Sequence, residues 1–460
     1  MRSTCGQSWD VPPPRYAFLM SEQETNPHKA RTSVELFAGG GGLAMAVHNA
    51  GFRPLFVNEY ATRAWQTLRD NGAVLRDATD VSVPEPGGGR RGLRAEGWPL
   101  VAGDVRDIPS FEFLRDSEVD VLAGGPPCQP FSLGGVHKGT EDERNMFPQM
   151  FRAIRDMRPK AVLCENVRGL LRPSFKEYFD YIKREMELPF VRREEGATWR
   201  EHDEVLQKEI ANGSTDPSER YVVRDMPVNA ADYGVPQVRQ RVILVAFRAD
   251  LGVDWDKHMP KPGFSEMALI DSMWNGDYWE RHGIEEGDEA YRRVMEGLPR
   301  PLPVEGGGDG TRPWRTLRDA VSGVDENEGR PLPEVPVEAV RDKLVVGGVP
   351  DHRGWPGARV YTGHTPNLLD RPAKTVKAGV HGVPGGESVM LLDDAGFNGC
   401  GYRYMTVRET ARVMTFPDDW ALAGPRGEQM RQLGNAVPVR LGEVFARAVA
   451  SALDEAEGRG

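Results

Sequence analysis

Cysteine is scarce in this sequence. The 460 residues include four cysteines, Cys5, Cys128, Cys164 and Cys400, and no two of them form a CxxC pair. Zinc knuckles and disulfide frameworks need closely and regularly spaced cysteines. We therefore expect neither kind of site, no bound metal, and thiols that stay reduced.

Long hydrophobic runs are also missing. The longest apolar stretches, such as VILVAF at 242–247, have the length of a β-strand, whereas a transmembrane helix needs roughly 18 residues. The N-terminal sequence MRSTCGQSWDVPPPRY has no basic stretch followed by an apolar core, which a secretory signal requires. We expect a cytoplasmic protein without a membrane partner.

Positive charge is not in excess either. The net charge of −11 argues weakly against a nonspecific polyanion binder, because the charge of a whole protein says little about one local groove. Between residues 341 and 381, however, seven Lys or Arg against three Asp give a local charge of +4. Such a run of basic residues is more often only a solvated surface. A surface that faces phosphates, however, also needs an excess of positive charge.

The length and the patterning predict two lobes. Residues 1–30 are rich in Pro, Ser, Gln and Glu and predict a disordered lead-in. Residues 31–250 show a strand–helix rhythm, whereas 251–405 are crowded with Gly, Pro and Trp and predict a loop-rich second lobe with short strands. Helical patterns within 406–460 predict that the chain returns to the first lobe, and residues 82–98 look like a surface insertion.

The first lobe alternates short apolar runs with helical stretches. This rhythm predicts an α/β fold with a parallel sheet, right-handed crossovers and helices on both faces. The predicted strands are 33–37, 54–60, 119–125, 161–167 and 241–248, and the predicted helices are 43–51, 61–72 and about 145–157.

A run of glycines, Gly39 to Gly42, follows the first predicted strand. Glycines at this point let a ligand approach the backbone, and the next helix offers free N–H groups. Glu59 ends the second strand, a position at which a carboxylate can accept hydrogen bonds from ribose hydroxyls. The Asp104 carboxylate can accept a hydrogen bond from an amine such as that of adenine. A purely structural turn is the alternative for the glycines alone, but the two acids favour a nucleoside cofactor, whose identity these residues leave open.

The segment GGPPCQPFS, residues 124–132, places a cysteine in a stiff turn. Pro126 and Pro127 restrict the backbone, and the two preceding glycines allow a sharp exit from the strand. A lone buried cysteine is most often inert. The polar turn favours instead a reactive Cys128 at the carboxyl end of a parallel strand, where open α/β sheets bind their ligands.

Two further motifs place a carboxylate and two arginines near Cys128. Glu165 ends the next strand in CENV, and Arg239 and Arg241 alternate in VPQVRQRV, so that both point to one face. The arginines could also be a solvated edge. Together, a thiolate that adds covalently, a carboxyl group that protonates a ring nitrogen and an arginine that holds a carbonyl oxygen suit an electron-poor ring such as cytosine.

Eight blocks in order give the chain a family resemblance. It resembles the cytosine-5 DNA methyltransferases of bacterial type II restriction-modification systems over residues 33–248 and 407–449. The resemblance implies a Rossmann-like methyltransferase sheet in 31–250 and 406–460, and a smaller target-recognition domain in 251–405. The blocks are ELFAGGGGLAMAVHNAGF, FVNEY, GDVRDI, GGPPCQPFS, CENVRGL, YGVPQVRQRVILVAF, RETARVMTFPDDW and QLGNAVPVRLGEVFARAV.

The resemblance also implies the cofactor and the roles of the catalytic residues. Cys128 would add to C6 of a cytosine that the enzyme flips out of the duplex, Glu165 would bond N3 and the exocyclic amine, and Arg241 would hold O2 with support from Arg239. The cofactor would be S-adenosyl-L-methionine, held by Phe37, Ala38, Gly39, Gly41, Leu43, Glu59, Tyr60, Asp104, Val105, Pro127, Met146, Asn435 and Val437.

The implied partner is double-stranded DNA, bound by a monomer that a cognate restriction endonuclease could accompany in the cell. Residues 129–145 would form a loop that closes over the DNA, and its Gly134-Gly135 pair suits a mobile segment. The residues expected to contact DNA are Gln129, Ser132 and Arg144 in this loop, and Lys374, Thr375, Lys377 and His381 in the second lobe.

Three alternatives compete with this assignment. A dehydrogenase would explain the glycine turn and Glu59 but not Cys128, Glu165 or the GNAVP block. An RNA cytosine methyltransferase would share the catalytic plan, but the large variable lobe favours a duplex DNA surface. A non-catalytic accessory subunit would be expected to lose the cysteine or the glutamate, and both are present. FAGGGG departs modestly from the family, since relatives often have an aliphatic residue at one of its glycines.

Overall fold

The computed structural model describes most of the chain. Residues 31–460 form one compact unit. Cys128, residues 129–144 of the predicted loop and most of the predicted insertion at 82–98 lie outside the described residues. The described ranges are 30–77, 95, 97–127, 145–300, 310–322, 330–358, 365–378 and 386–458.

An eight-stranded sheet organises this unit. The strands of the chain are β1 (Thr32–Leu36), β2 (Arg53–Glu59), β3 (Val74–Leu75), β4 (Pro99–Ala102), β5 (Val121–Gly124), β6 (Ala161–Val167), β7 (Tyr221–Asn229), β8 (Gln240–Arg248), β9 (Phe264–Ser265), β10 (Arg312–Pro313), β11 (Asn367–Leu368), β12 (Val389–Leu391) and β13 (Tyr402–Tyr404). The order in the sheet is β3-β4-β2-β1-β5-β6-β8-β7. The first six of these are parallel, as predicted for β1, β2, β5 and β6, whereas β3 and β4 were not predicted from the sequence.

The expectation of a purely parallel sheet is wrong for β8. This strand runs antiparallel to both β6 and β7. The cause is the short connection from β7 to β8, since a hairpin-like link reverses the chain whereas a parallel neighbour needs a long crossover. The reversal matters for the site, because it places the first residues of β8 beside the carboxyl end of β6.

Helices cover both faces of the sheet. The helices are α1 (Gly42–Asn49), α2 (Thr62–Asp70), α3 (Phe147–Met157), α4 (Lys176–Glu187), α5 (Trp199–Asn212), α6 (Trp255–His258), α7 (Glu266–Trp274), α8 (Asp277–His282), α9 (Glu289–Glu296), α10 (Leu317–Val321), α11 (Val337–Asp342), α12 (Val407–Val413), α13 (Arg426–Asn435) and α14 (Val439–Ala456).

Alternate residues of the central strands pack on opposite faces. On β6, Val162 and Cys164 join the core formed with α3 and α4, whereas Ala161 and Leu163 join the core formed with α1 and α14. Both sets are almost completely buried. This two-sided burial is why the strand sequences are continuously apolar rather than alternating.

The C-terminal segment returns to the sheet, as its helical pattern predicted. Helix α14 packs against α1 and the central strands. Its far end is held by Arg31, which bonds Asp454 at 2.6 Å and Asp120 at 3.2 Å. These contacts join the first strand to the last helix across more than 420 residues of sequence.

Residues 251–405 are built from short elements. Their described strands are only two or three residues long and form a pair, β9-β10, and a small sheet with β13 in the order β11-β12-β13. The short helices α6 to α11 accompany them, although the sequence suggested mainly loops and strands. None of the helices in the described part of the chain has the length and apolar character needed to cross a membrane.

Candidate active site

Two of the predicted catalytic residues, Glu165 and Arg241, meet at the carboxyl edge of the parallel strands. Gly124 on β5 pairs with Cys164 on β6, and Val167 at the end of β6 pairs with Arg241 on β8. Glu165 follows Cys164 directly. The register therefore brings the Pro126-Pro127 turn, Glu165 and Arg241 to one edge of the sheet.

Glu165 and Arg241 form a buried ion pair. Arg241 Nε lies 2.7 Å from Glu165 Oε1, and the two side chains are only 11% and 10% exposed. Within the described residues the Oε1 atom accepts no directed hydrogen bond, so its contact with Arg241 is primarily electrostatic. A Cβ atom added to Gly125 would lie 3.6 Å from Glu165 Oε2. The second carboxylate oxygen is thus directed toward the glycines that precede the proline turn.

Hydrogen bonds fix the chain on both sides of residues 128–144. Asn166 Nδ2 donates to the Pro126 carbonyl at 2.9 Å, and the Met146 N–H donates to the Pro127 carbonyl at 3.1 Å. These two bonds hold Pro126 and Pro127, the last described residues before Cys128, against β6 and the start of α3. Sequence reasoning missed Asn166, although this buried amide stands next to Glu165 in the same motif.

Arg239 has different contacts from those of Arg241. It is 1% exposed, and it donates to the main-chain carbonyls of Val376, Gly434 and Ala436 at 2.8, 2.8 and 2.9 Å. Burial holds the pKa of its guanidinium well below the usual value, and the charge of Arg241 lowers that pKa further, while Glu165 opposes the shift. Arg239 therefore ties the start of β8 to two distant segments.

Replacing Arg239 by lysine is expected to destabilise the fold. An ammonium group cannot reach three separate carbonyls with the planar fork of a guanidinium, so buried acceptors would remain unsatisfied. The expected loss is about 2–4 kcal/mol of unfolding free energy, measured by urea denaturation. Arg447→Lys is the control, because that side chain is 59% exposed on α14. An equal, small effect at both positions would contradict the tethering role of Arg239.

The glycine turn after β1 has three left-handed residues. Phe37, Gly39 and Gly41 have φ values of +58°, +57° and +94°, of which the first is costly for a residue with a side chain. The Glu59 carboxylate holds the turn by accepting from the Gly39 N–H at 2.7 Å and the Ala61 N–H at 2.6 Å. Burial raises the pKa of Glu59, and these two hydrogen bonds act against that rise.

The glycines of this turn face two different surroundings. A Cβ atom on Gly39 would meet no atom of the described residues within 4 Å, whereas one on Gly41 would contact Trp420 at 2.8 Å and one on Gly42 would overlap the Val437 carbonyl. One side of the turn is therefore packed by the C-terminal segment. The other side is open, as the approach of a ligand requires.

Gly40 lies against the C-terminal segment. Its carbonyl accepts a hydrogen bond from Trp420 Nε1 at 3.0 Å, and a Cβ atom there would lie 3.4 Å from the Gln432 side chain. Gln432 also accepts from the Thr67 hydroxyl at 2.6 Å. Side chains from α2 and the C-terminal segment thus fill the space beside this glycine.

The remaining predicted cofactor residues lie around the same edge. The Asp104 carboxylate accepts from the Arg106 side chain at 2.6 Å, and Arg106 lowers the pKa of Asp104. Tyr60 is 72% exposed next to Glu59. Ala38, Leu43, Val105 and Val437 are buried, Met146 is half-buried, and Pro127 and Asn435 are exposed.

The predicted DNA contacts in the second lobe already have partners within the chain. Thr375 donates its hydroxyl to the Val238 carbonyl at 2.8 Å, Lys374 donates to the Thr365 carbonyl at 2.6 Å, and Lys377 pairs with Glu387. The Lys377 side chain is nevertheless 67% exposed. The other DNA-contact candidates, Gln129, Ser132, Arg144 and His381, lie outside the described residues.

The sheet, with helices on both of its faces, is a Rossmann-like α/β fold. The family model for the C-5 cytosine-specific DNA methylase matches residues 95–188, 205–283 and 369–451. The chain belongs to this family, and it is therefore an enzyme of the DNA methyltransferase class. The resemblance inferred from the motifs is confirmed.

Named relatives agree with this membership. Type II methyltransferase M.Eco47II of Escherichia coli is 31% identical over 431 residues, which cover 93% of this chain and 81% of the relative. Type II methyltransferase M.PspPI of Psychrobacter sp. is 28% identical and covers 95% and 82%. The S. pombe Dnmt2 methyltransferase structure superposes with a TM-score of 0.47 at 14% identity, covering 93% of this chain and 99% of that one.

Proposed function

We propose that this protein transfers a methyl group from S-adenosyl-L-methionine to C5 of a cytosine that is flipped out of a specific duplex DNA sequence. Cys128 forms a transient covalent adduct with C6 of that cytosine. The observation that carries the proposal is the Glu165–Arg241 pair, which lies beside the Pro126-Pro127 turn at the edge where parallel strands end. The open glycine turn on β1, the neighbour of β5, lies at the same edge.

Each group has one chemical task. The Cys128 thiolate adds to C6 while a proton from the Glu165 carboxyl group reaches N3, so that C5 becomes nucleophilic. Arg241 holds O2 and stabilises charge on the ring. After C5 has gained the methyl group, loss of the C5 proton to water re-forms the C5–C6 double bond and expels the thiolate, and N3 returns its proton to the Glu165 carboxylate, which restores the aromatic ring. The target atom is inaccessible in a stacked duplex, which is why the base must leave the helix.

The residues around the glycine turn suit S-adenosyl-L-methionine. This cofactor supplies an electrophilic methyl group on a sulfonium ion. Gly39 faces open space, Glu59 has oxygens for ribose hydroxyls, and Asp104 can accept from the adenine amine once Arg106 moves. The other groups proposed to hold the cofactor are Phe37, Ala38, Gly41, Leu43, Tyr60, Val105, Pro127, Met146, Asn435 and Val437.

A pair of alanine substitutions separates cofactor binding from folding. Gly39→Ala places a methyl group in the open space and is expected to weaken S-adenosyl-L-methionine binding strongly, at a conformational cost of about 1 kcal/mol. Gly42→Ala collides with the Val437 carbonyl and is expected to cost about 1–3 kcal/mol of stability by overpacking. Calorimetric titration of the cofactor and urea unfolding measure the two effects. Equal cofactor affinity in wild type and Gly39→Ala would contradict the assignment of the open side.

Catalysis and DNA recognition are proposed to belong to different parts of the chain. Residues 31–250 and 406–460 carry catalysis and bind the cofactor, whereas 251–405 recognise the DNA target. Lys374, Thr375, Lys377 and His381 are proposed to face DNA from the second lobe, and Gln129, Ser132 and Arg144 from the loop. Although Lys377 pairs with Glu387, its side chain is 67% exposed, which makes Lys377 the strongest candidate for a direct phosphate contact. The protein acts as a cytoplasmic monomer whose product resists a cognate restriction endonuclease.

Methyl transfer from radiolabelled S-adenosyl-L-methionine to plasmid DNA and to bulk tRNA tests the proposal. We expect incorporation into DNA only, and bisulfite sequencing of DNA from expressing cells should locate 5-methylcytosine in one recurring sequence. Incorporation into tRNA alone would replace DNA by RNA as the substrate. Crosslinking of labelled NAD in preference to S-adenosyl-L-methionine would reject the cofactor assignment.

A further inference from the structure

A cavity of about 730 Å³ is lined by residues of α3 and α4 and of the segments beside them. One wall comes from Pro109, Ser110 and Glu112 and another from Arg192, Arg193 and Trp199, together with Asn145, the last residue of the predicted loop. Its volume is typical of sites for small molecules. Among the described residues, none of those proposed above for catalysis or for cofactor binding lines it.

Four arginines line this cavity: Arg152, Arg155, Arg192 and Arg193. Arg152 is engaged internally, since it donates to the Val105 and Ile108 carbonyls at 2.6 Å each. Arg192 and Arg193 are exposed, and neither has a hydrogen bond or an ion pair within the described part of the chain. Two guanidinium groups therefore remain available to a ligand.

Arg155 shows that positive charge accumulates here. Burial lowers the pKa of its guanidinium, and the charges of Arg192 and Arg152 lower it further, against the opposite effects of Glu185 and Asp156. Its nearest carboxylate, Glu185, is 3.9 Å away. The Arg155 side chain is 19% exposed, so that solvent screens its charge only in part.

The carboxylates of the cavity have other partners. Glu112 pairs with Arg115 at 3.1 Å, and Asp156 accepts from the Phe111 N–H at 3.1 Å. Burial raises the pKa of Glu185, while Tyr181 and two arginines oppose the shift. Glu185 acts electrostatically on Arg193 as well as on Arg155. The four arginines of the lining still exceed its three acids, Glu112, Asp156 and Glu185, by one charge, which suits an anion.

We propose that this cavity is a second ligand site, which binds a small molecule carrying a di- or triphosphate group. Guanidinium groups match phosphate oxygens with paired, charge-assisted hydrogen bonds. Arg155, Arg192 and Arg193 hold the phosphates at this site. A compact polyphosphate suits a cavity of this size better than a single small anion, which would leave most of its volume to solvent.

The cavity is connected to both ends of the proposed active site. Asn145 donates to the Tyr178 hydroxyl at 2.5 Å, and the next residue, Met146, bonds Pro127 beside Cys128. Arg152 bonds Val105 in the proposed adenine-binding segment. Occupancy of the cavity stabilises this arrangement and so favours cofactor binding. This regulatory part rests on the proposed function, whereas phosphate binding does not.

Calorimetric titration of the full chain with inorganic pyrophosphate tests the site directly, with S-adenosyl-L-methionine present to fill the proposed cofactor site. We expect saturable binding that weakens about tenfold or more in Arg192→Gln/Arg193→Gln, which removes two charge-assisted contacts. Lys208→Gln/Arg447→Gln removes two positive charges from other surfaces of the same unit and should bind as wild type does. A parallel titration of S-adenosyl-L-methionine, with and without pyrophosphate, measures the coupling.

Three outcomes would overturn the site. Pyrophosphate could fail to bind wild type, or it could bind equally to both double variants. In the third outcome pyrophosphate does not bind, but Arg192→Gln/Arg193→Gln lowers the affinity for duplex DNA. The last result would make the surface a DNA backbone contact. Specific pyrophosphate binding in a protein that fails to methylate DNA would refute the proposed function and leave the second site standing.

Discussion

Replacing Cys128 by alanine is expected to abolish methyl transfer. Without the sulfur nucleophile no bond to C6 forms, and C5 of an unactivated cytosine does not attack the methyl donor. Removal of a covalent catalytic group commonly costs several orders of magnitude in rate. Affinity for DNA and for S-adenosyl-L-methionine should persist, because the Asn166 and Met146 hydrogen bonds that hold the neighbouring turn use main-chain carbonyls.

Trapping of the adduct makes this prediction specific. Duplex DNA with 5-fluorocytosine at the target should form a covalent complex with wild type, since fluorine cannot leave as the C5 proton does. Cys128→Ala should form no such complex. Cys400→Ala is the control, because Cys400 is an exposed free thiol and should retain both activity and trapping. Turnover by Cys128→Ala near the wild-type rate would refute the nucleophile.

Local sequence patterns were sufficient to predict the strands that carry the site. β5 and β6 are short apolar runs that end in glycines or in polar residues, and the register of parallel neighbours then places Gly124 beside Cys164. The βα rhythm also predicted the glycine turn and the acid at the end of β2. These features depend on residues close in sequence, and their periodicity records burial on two faces of one sheet.

Long-range contacts could not be read in the same way. The alternation of Arg239 and Arg241 suggested one shared face, but the fold gives one arginine to a buried carboxylate and the other to carbonyls from residues 376 and 434–436. The first residues of β8 reach the carboxyl edge of the parallel strands only because β8 runs antiparallel to them. No local pattern encodes a reversal that depends on the length of a connection.

The charged cavity behind α3 and α4 is a further example. In the sequence, Arg192 and Arg193 resemble an ordinary pair of solvent-exposed arginines. They line a shared cavity with Arg155 only because the segment before α5 folds back toward that residue, which lies nearly 40 residues earlier in the sequence. Assembly of such a surface needs the tertiary contacts of three helices, whereas a catalytic motif carries its chemistry in a few adjacent residues.

Replacing Glu165 by glutamine is expected to lower kcat by about 100-fold to 10,000-fold, the usual contribution of a positioned acid or base. Glutamine keeps the shape of the side chain and can hydrogen-bond N3, but it cannot transfer a proton to it. The KM for DNA should therefore change little. Steady-state methyl transfer, with DNA and S-adenosyl-L-methionine varied in turn, separates the two parameters.

The ion pair with Arg241 adds a stability effect that must be separated from the catalytic one. Glutamine leaves the Arg241 guanidinium, 11% exposed, without its 2.7 Å counter-charge, which should cost about 1–3 kcal/mol. Rates are therefore compared per folded molecule, at a temperature where urea unfolding shows both proteins to be native. Glu219→Gln, a partly exposed carboxylate that pairs with Arg158, should keep the wild-type kcat. An unchanged kcat in folded Glu165→Gln would mean that the proton on N3 comes from another group, and that Glu165 serves only to hold Arg241.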